Sequence, residues 1–136
     1  MANMTDALEL ALLDGLTSVT QYTSPAIVYL ALFTADPTDT GSVANEVSGT
    51  SYARVSLATK FTAATGTTGV SANTSAITFA AAGAGGWGTI THIGFMESGT
   101  ATTADMMMHS VLTDPITIVE TDVFEFLTGG LTVTLA

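Results

Sequence analysis

The spacing of apolar positions changes once along this chain, from helical to strand-like. Residues 5–16, TDALELALLDGL, place Leu8, Ala11, Leu12 and Leu16 at helical spacing and predict a single α-helix with one apolar stripe. Thr5 stands where an N-cap belongs, Asp6 and Glu9 lie near the positive end of the helix dipole, and Gly15 suits the C-terminal end. After Pro25 the pattern turns to β. Residues 26–34, AIVYLALFT, are almost continuously apolar and rich in β-branched and aromatic side chains, the pattern of a strand buried on both faces. Residues 51–60 alternate, with Ala53, Val55 and Leu57 on one face and Tyr52, Arg54 and Ser56 on the other. Further strands are predicted over 75–81, 89–97, 105–113 and, after Pro115, 116–119. Within 89–97, Ile93 and Phe95 are expected on one face and Ile90 and His92 on the other. Residues 122–127 and 131–135 alternate on either side of Thr128-Gly129-Gly130, which predicts a β-hairpin.

Between these segments lie loops of two kinds. Residues 35–50 open on Asp36-Pro37-Thr38-Asp39-Thr40-Gly41, which is turn chemistry. The loop exceeds the usual connection length, and such loops are functional or disordered. Residues 63–74 are small and polar and read as a mobile loop. About seven or eight short antiparallel strands with no βαβ alternation predict an all-β fold, a β-sandwich or small barrel, with one N-terminal α-helix. The length predicts one domain over 1–136, with a helical segment at 1–16 and a β-domain at 26–136.

Charge narrows the partners. Twelve acidic residues face two basic ones, for a net charge of −10. Nucleic-acid binding requires Lys and Arg to displace phosphate counterions, and two cations do not suffice. Anionic membranes repel the chain for the same reason. No apolar run reaches the roughly 20 residues of a membrane helix. The N-terminus lacks the basic and apolar regions of a secretory signal, so the protein is expected in the cytoplasm where it is made. Charged residues make up only 10% of the chain, against about 25% in ordinary domains, so Thr, Ser, Gly and Ala must cover much of the surface. Either that surface simply tolerates water or it is buried against partners; the second reading is preferred. The absence of Cys excludes disulfides and thiolate metal sites.

No catalytic, cofactor-binding or metal-ligating set is expected. Gly83-Ala84-Gly85-Gly86-Trp87-Gly88 matches the dinucleotide fingerprint literally, but a β-branched strand follows where a helix is required, so it reads as a turn or bulge. His92 and His109 are too few for zinc without Cys. Asp36, Asp39 and Glu46 share one loop and offer oxygen ligands for calcium, but their spacing is not that of an EF-hand, and turn capping or solvation is the simpler role. Arg54 is able to pair bidentately with Glu46 or another acid across residues 35–50, and Tyr52 beside it offers a rigid amphipathic anchor. Met106-Met107-Met108 reads as gap-filling core.

The run LFTADP at 32–37, the acidic, glycine-bearing loop and EVSGTSYAR at 46–54 resemble one family, the small β-rich virion proteins of tailed bacteriophages. Phe79-Ala80-Ala81, Trp87-Gly88-Thr89-Ile90-Thr91-His92-Ile93-Gly94, Asp122-Val123-Phe124-Glu125-Phe126 and Gly130-Leu131-Thr132-Val133-Thr134-Leu135 extend the resemblance over nearly the whole chain. Members are labelled tail fibre or capsid decoration proteins. The resemblance implies a non-enzymatic virion structural protein whose partners are the major capsid protein or tail proteins of the same phage, with self-association. Acidity and a thinly charged surface favour a decoration, or cement, protein on the outer shell. A tail fibre base or adaptor is the alternative, and a host-glycan-binding module using Trp87 and Tyr52 is a third reading. Leu8, Leu12 and Leu16 of the helix, Asp36, Asp39, Glu46, Tyr52 and Arg54 in or beside the loop, and Trp87 are the expected interface residues.

Overall fold

The computed structural model describes residues 3–64, 69–100 and 106–134. In chain order these form β1 (Asn3–Met4), α1 (Asp6–Leu16), β2 (Tyr29–Phe33), β3 (Val55–Ser56), β4 (Val70–Ala72), β5 (Ile77–Thr78), β6 (Gly88–Met96), β7 (Met106–Ile118), β8 (Glu125–Phe126) and β9 (Thr132–Thr134). Five strands make the main sheet in the order β1-β7-β6-β2-β3, while β4 with β9 and β5 with β8 make two short ribbons. Every pairing is antiparallel. The fold is therefore all-β with one N-terminal helix, as the sequence pattern predicts.

The apolar run lies inside the main sheet because it has two faces to bury. Leu30 and Leu32 enter the larger core, Ala31 and Phe33 enter a smaller one, and none of the four is exposed. The ribbons and their flanks contribute Ile77, Phe79, Phe124 and Leu131 to the larger core, which also holds Ile93 and Phe95 from β6. The smaller core joins Ala31 and Phe33 to Met96 and Met106, with Val43 of the long loop packed on it. Gly41, at a φ of 66°, brings the loop backbone against Met106; a Cβ there would lie 3.1 Å from the Met106 Cβ. Residues 35–50 thus form a strap that crosses the second face of the sheet at Gly41 and Val43 and then pairs beside β2, with Val47 in the larger core. Met106 and Met107 are buried in the two cores, as the gap-filling reading expects.

Several expected elements are corrected. Segments 122–127 and 131–135 do not pair as a hairpin: β8 pairs with β5 and β9 with β4. The turn between them is held from outside by Asn73, whose side chain donates to the Leu127 carbonyl and accepts from the Leu131 N–H. The expected mobile loop 63–74 contains β4 and this buried Asn73. Pro115 does not separate two strands but lies within β7. Ile90 pairs with Ile116 and His92 with Val111, so the residues between form a bulge, where a missing N–H breaks no ladder bond. The same irregularity puts Ile90 into one core with Ile93 and Phe95 rather than on the opposite face. Of residues 51–60 only β3 is strand, and Arg54 is buried while Ala53 is exposed. Residues 65–68, residue 105 of the expected strand 105–113 and residue 135 of the last expected strand lie outside the described residues. Among the described residues no helix is long and apolar enough to cross a membrane.

Candidate functional site

The residues singled out in the sequence sort into three places. The first is an internal cluster where the strap meets β2. Glu46 forms an isolated bridge with Phe33, and the flanking backbone bonds Thr34 N–H to Asn45 O and Val47 N–H to Leu32 O fix its position. Arg54 reaches Glu46 in a fork: Nε donates to Oε1 and Nη2 to Oε2, each at 2.8 Å. Its Nη1 donates to the carbonyls of Ser98 and Thr100, both at 2.8 Å. The Arg54 and Glu46 side chains are 2% and 8% exposed. Tyr52 closes the cluster, donating its hydroxyl to Glu46 Oε1 at 3.1 Å and accepting from the Leu32 N–H at 2.9 Å. Burial, with the Glu46 carboxylate beside it, holds the proton on the Tyr52 phenol well above the ordinary tyrosine range.

Aromatic packing continues inward from Tyr52. Its ring stacks on Phe79 at 6.2 Å and meets Trp87 edge-on at 5.5 Å. The Trp87 Nε1–H donates to the Thr50 carbonyl at 3.1 Å. Gly49 permits this approach, since a Cβ there would lie 2.5 Å from Trp87 Cδ1. Trp87 therefore lies in the core with the half-buried Tyr52 packed against it, so the two rings face Phe79 and each other rather than forming an exposed pair. The glycine-rich stretch before Trp87 is a turn: Gly86 N–H donates to Gly83 O, and strand β6 follows.

The second place is the outer end of the strap. His109 on β7 is buried, and its Nε2 and Nδ1 face Asp39 Oδ1 at 3.3 Å and Asp36 Oδ1 at 3.5 Å. Asp36 also caps its own turn, accepting from the Thr38 N–H at 2.9 Å. The three acids weighed as calcium ligands do not converge, because Glu46 turns inward to Arg54 while Asp36 and Asp39 turn to His109. Among the described residues no group of His, Cys, Asp or Glu is arranged to hold a metal. His92 lies apart, with Nδ1 2.8 Å from Thr91 Oγ1. The contact of His109 with the strap carries no local sequence signal, since 70 positions separate it from Asp39.

The third place is the helix. Thr5 occupies the N-cap position, yet its hydroxyl makes no cap bond; it donates to the Met106 carbonyl at 2.7 Å instead. Leu8 packs on the larger core, and Ala11, Leu12 and Gly15 are half-buried on the same side. Leu16, expected in that stripe, is 84% exposed. Gly15 is not the terminating residue. Ser18 is, at a φ of 61°, with Val19 N–H bonded to Asp14 O and Ser18 N–H to Gly15 O, a Schellman motif. Of the expected interface residues, then, Leu16, Asp36 and Asp39 face solvent, while Glu46, Tyr52, Arg54 and Trp87 are committed to contacts within the chain.

Charge on the outside is one-sided. Of the two cations, Arg54 is spent on Glu46, and Lys60 Nζ donates to the Ala76 carbonyl at 2.7 Å. What the arrangement offers is a braced, acidic scaffold carrying exposed apolar side chains. A search of curated proteins finds no match. A family model does match, over residues 3–134, and its description is Podophage GP4 fiber I protein gp80. That span takes in the main sheet, both ribbons, the strap and the helix, and so the chain belongs to the family of phage fibre proteins represented by Podophage GP4 fiber I protein gp80.

Proposed function

We propose that this chain is a non-enzymatic component of a phage tail fibre assembly, a base or adaptor domain that works by contact with other virion proteins. The observation that carries this reading is the match to a fibre family across 3–134. It favours the tail over the capsid shell that composition alone suggested, and the tail reading replaces capsid decoration here. Physical features support a scaffolding role. The buried Arg54–Glu46 fork and the His109 contacts brace the strap, so the loop is preorganised rather than a lid. The acidic surface keeps the domain away from packaged DNA. Exposed apolar side chains on the helix and on β7, among them Leu13, Leu16, Val111 and Ile116, supply area for association with virion partners. Electron cryo-microscopy of intact particles tests this: copies confined to the tail are expected, and copies spread over the capsid shell would overturn it in favour of decoration.

A further inference from the structure

The helix α1 is apolar on two sides. Leu8, Ala11 and Leu12 turn inward, and Leu10 and Leu13 lie about 180° round the helix from them. Leu10 is 63% exposed, Leu13 57%, Leu16 84% and Val19, beyond the Schellman turn, 72%. A helix that needed only one cover would present polar residues there. The outward leucines are instead flanked by acids, Asp6 and Glu9 on the first turns and Asp14 near the end, all exposed. Asp14 sits at the negative end of the helix dipole with no basic residue in the last turn, an arrangement that is unfavourable until a cation approaches.

These observations decide the occupant. A second copy docked face to face would bring Asp6, Glu9 and Asp14 against the same three acids, and the two basic side chains of the sequence, Arg54 and Lys60, are held by Glu46 and the Ala76 carbonyl. Like charges brought together at an interface oppose binding. We infer that the outward face of α1 docks into an apolar groove rimmed by Lys or Arg on a different virion protein, with Leu10 and Leu13 as the buried anchors and Asp6, Glu9 and Asp14 as the charged rim. This deepens the tail-fibre reading and rests on it.

Deleting the N-terminal segment is not a clean test, because β1 pairs with β7 and Thr5 bonds to Met106, so its loss would disturb the sheet. Point substitutions on the exposed face leave those contacts alone. The experiment uses the purified full chain and particles assembled without it, and measures rebinding to the tail. Leu10→Ser/Leu13→Ser should weaken rebinding about 100-fold, as expected for two anchors, with a thermal midpoint lowered by only about 2–4 °C from the poorer helix propensity of Ser. Wild-type rebinding should fall about tenfold or more between low and high salt, and Asp6→Asn/Glu9→Gln/Asp14→Asn should bind weakly with little salt dependence. Variants that rebind like wild type would overturn the inference and leave the tail-fibre reading standing. A wild-type dimer in light scattering that Leu10→Ser/Leu13→Ser abolishes would also overturn it, by making a second copy the occupant. Wild type that binds only the capsid shell would overturn the tail-fibre reading and this inference with it.

Discussion

Replacing Arg54 with Met gives the most direct measure of what holds the strap. Arg54→Met keeps much of the aliphatic stem but removes the fork to Glu46 and the bonds to the Ser98 and Thr100 carbonyls. Glu46 is then a carboxylate 8% exposed, with Tyr52 as its remaining hydrogen-bond donor in the cluster. Breaking a buried pair on one side costs about 3–5 kcal/mol. For a chain of 136 residues the unfolding entropy is about 0.29 kcal/mol/K, so the thermal midpoint should fall by about 10–17 °C. Urea unfolding should show the same loss as a lower midpoint at unchanged slope. Glu46→Leu/Arg54→Met removes both charges, and should be about 2 kcal/mol or more better than the sum of the single changes. It should not regain wild-type stability, because the Ser98 and Thr100 carbonyls still lack their donor and the Tyr52 O–H its acceptor. Because the pair is buried, the cost should persist in about 1 M NaCl, where surface pairs are screened. A midpoint loss under about 3 °C, or one that salt erases, would show that the fork does not hold the strap.

Other perturbations follow from single contacts. Asn73→Ala removes side-chain bonds to Ser75 O, Leu127 O and Leu131 N–H, and should cost about 2–4 kcal/mol in urea unfolding, with faster amide exchange at Leu131. Gly49→Ala places a Cβ 2.5 Å from Trp87 Cδ1 and 2.8 Å from the Gly86 carbonyl, so it should cost about 1–3 kcal/mol and shift the fluorescence of the single Trp. Tyr52 keeps its proton in the fold beyond the pH at which it ionises when unfolded, so the unfolded state binds fewer protons there. Stability should therefore be intact below about pH 10 and decline above it, and Tyr52→Phe should flatten that decline in alkaline melts.

The parts of the fold that were legible in the sequence depend on near neighbours. The run at 26–34 reads as a doubly buried strand because consecutive apolar residues point to opposite faces, and Leu30 through Phe33 do so. The helix reads from its period, and a carboxylate partner for Arg54 across residues 35–50 from the scarcity of cations, while only the structure selects Glu46 among the acids. Local rules mislead where a distant residue overrides them. Thr128-Gly129-Gly130 satisfies hairpin chemistry, yet Asn73, 58 positions from Leu131, captures that turn and sends its two flanks to different partners. Pro115 reads as a break only if each residue of β7 must donate to β6, and the bulge removes that need. Tyr52 and Trp87 read as surface anchors, since amphipathic rings suit an interface, yet packing against Phe79 turns both inward.

By itself, then, the chain's alternation, charge and recurrent motifs determined an acidic, cation-poor β-protein with one helix and a phage-structural resemblance, because those properties depend on composition and on residues a few positions apart. Tertiary structure alone decided which strand meets which, that the loop 35–50 crosses the second face of the sheet at Gly41 and Val43 before pairing with β2, and which leucines of the helix stay in water. Those outcomes depend on hydrogen bonds and burial between residues as far apart as Thr5 and Met106, where the entropy of closing the chain is offset only when the whole core forms together.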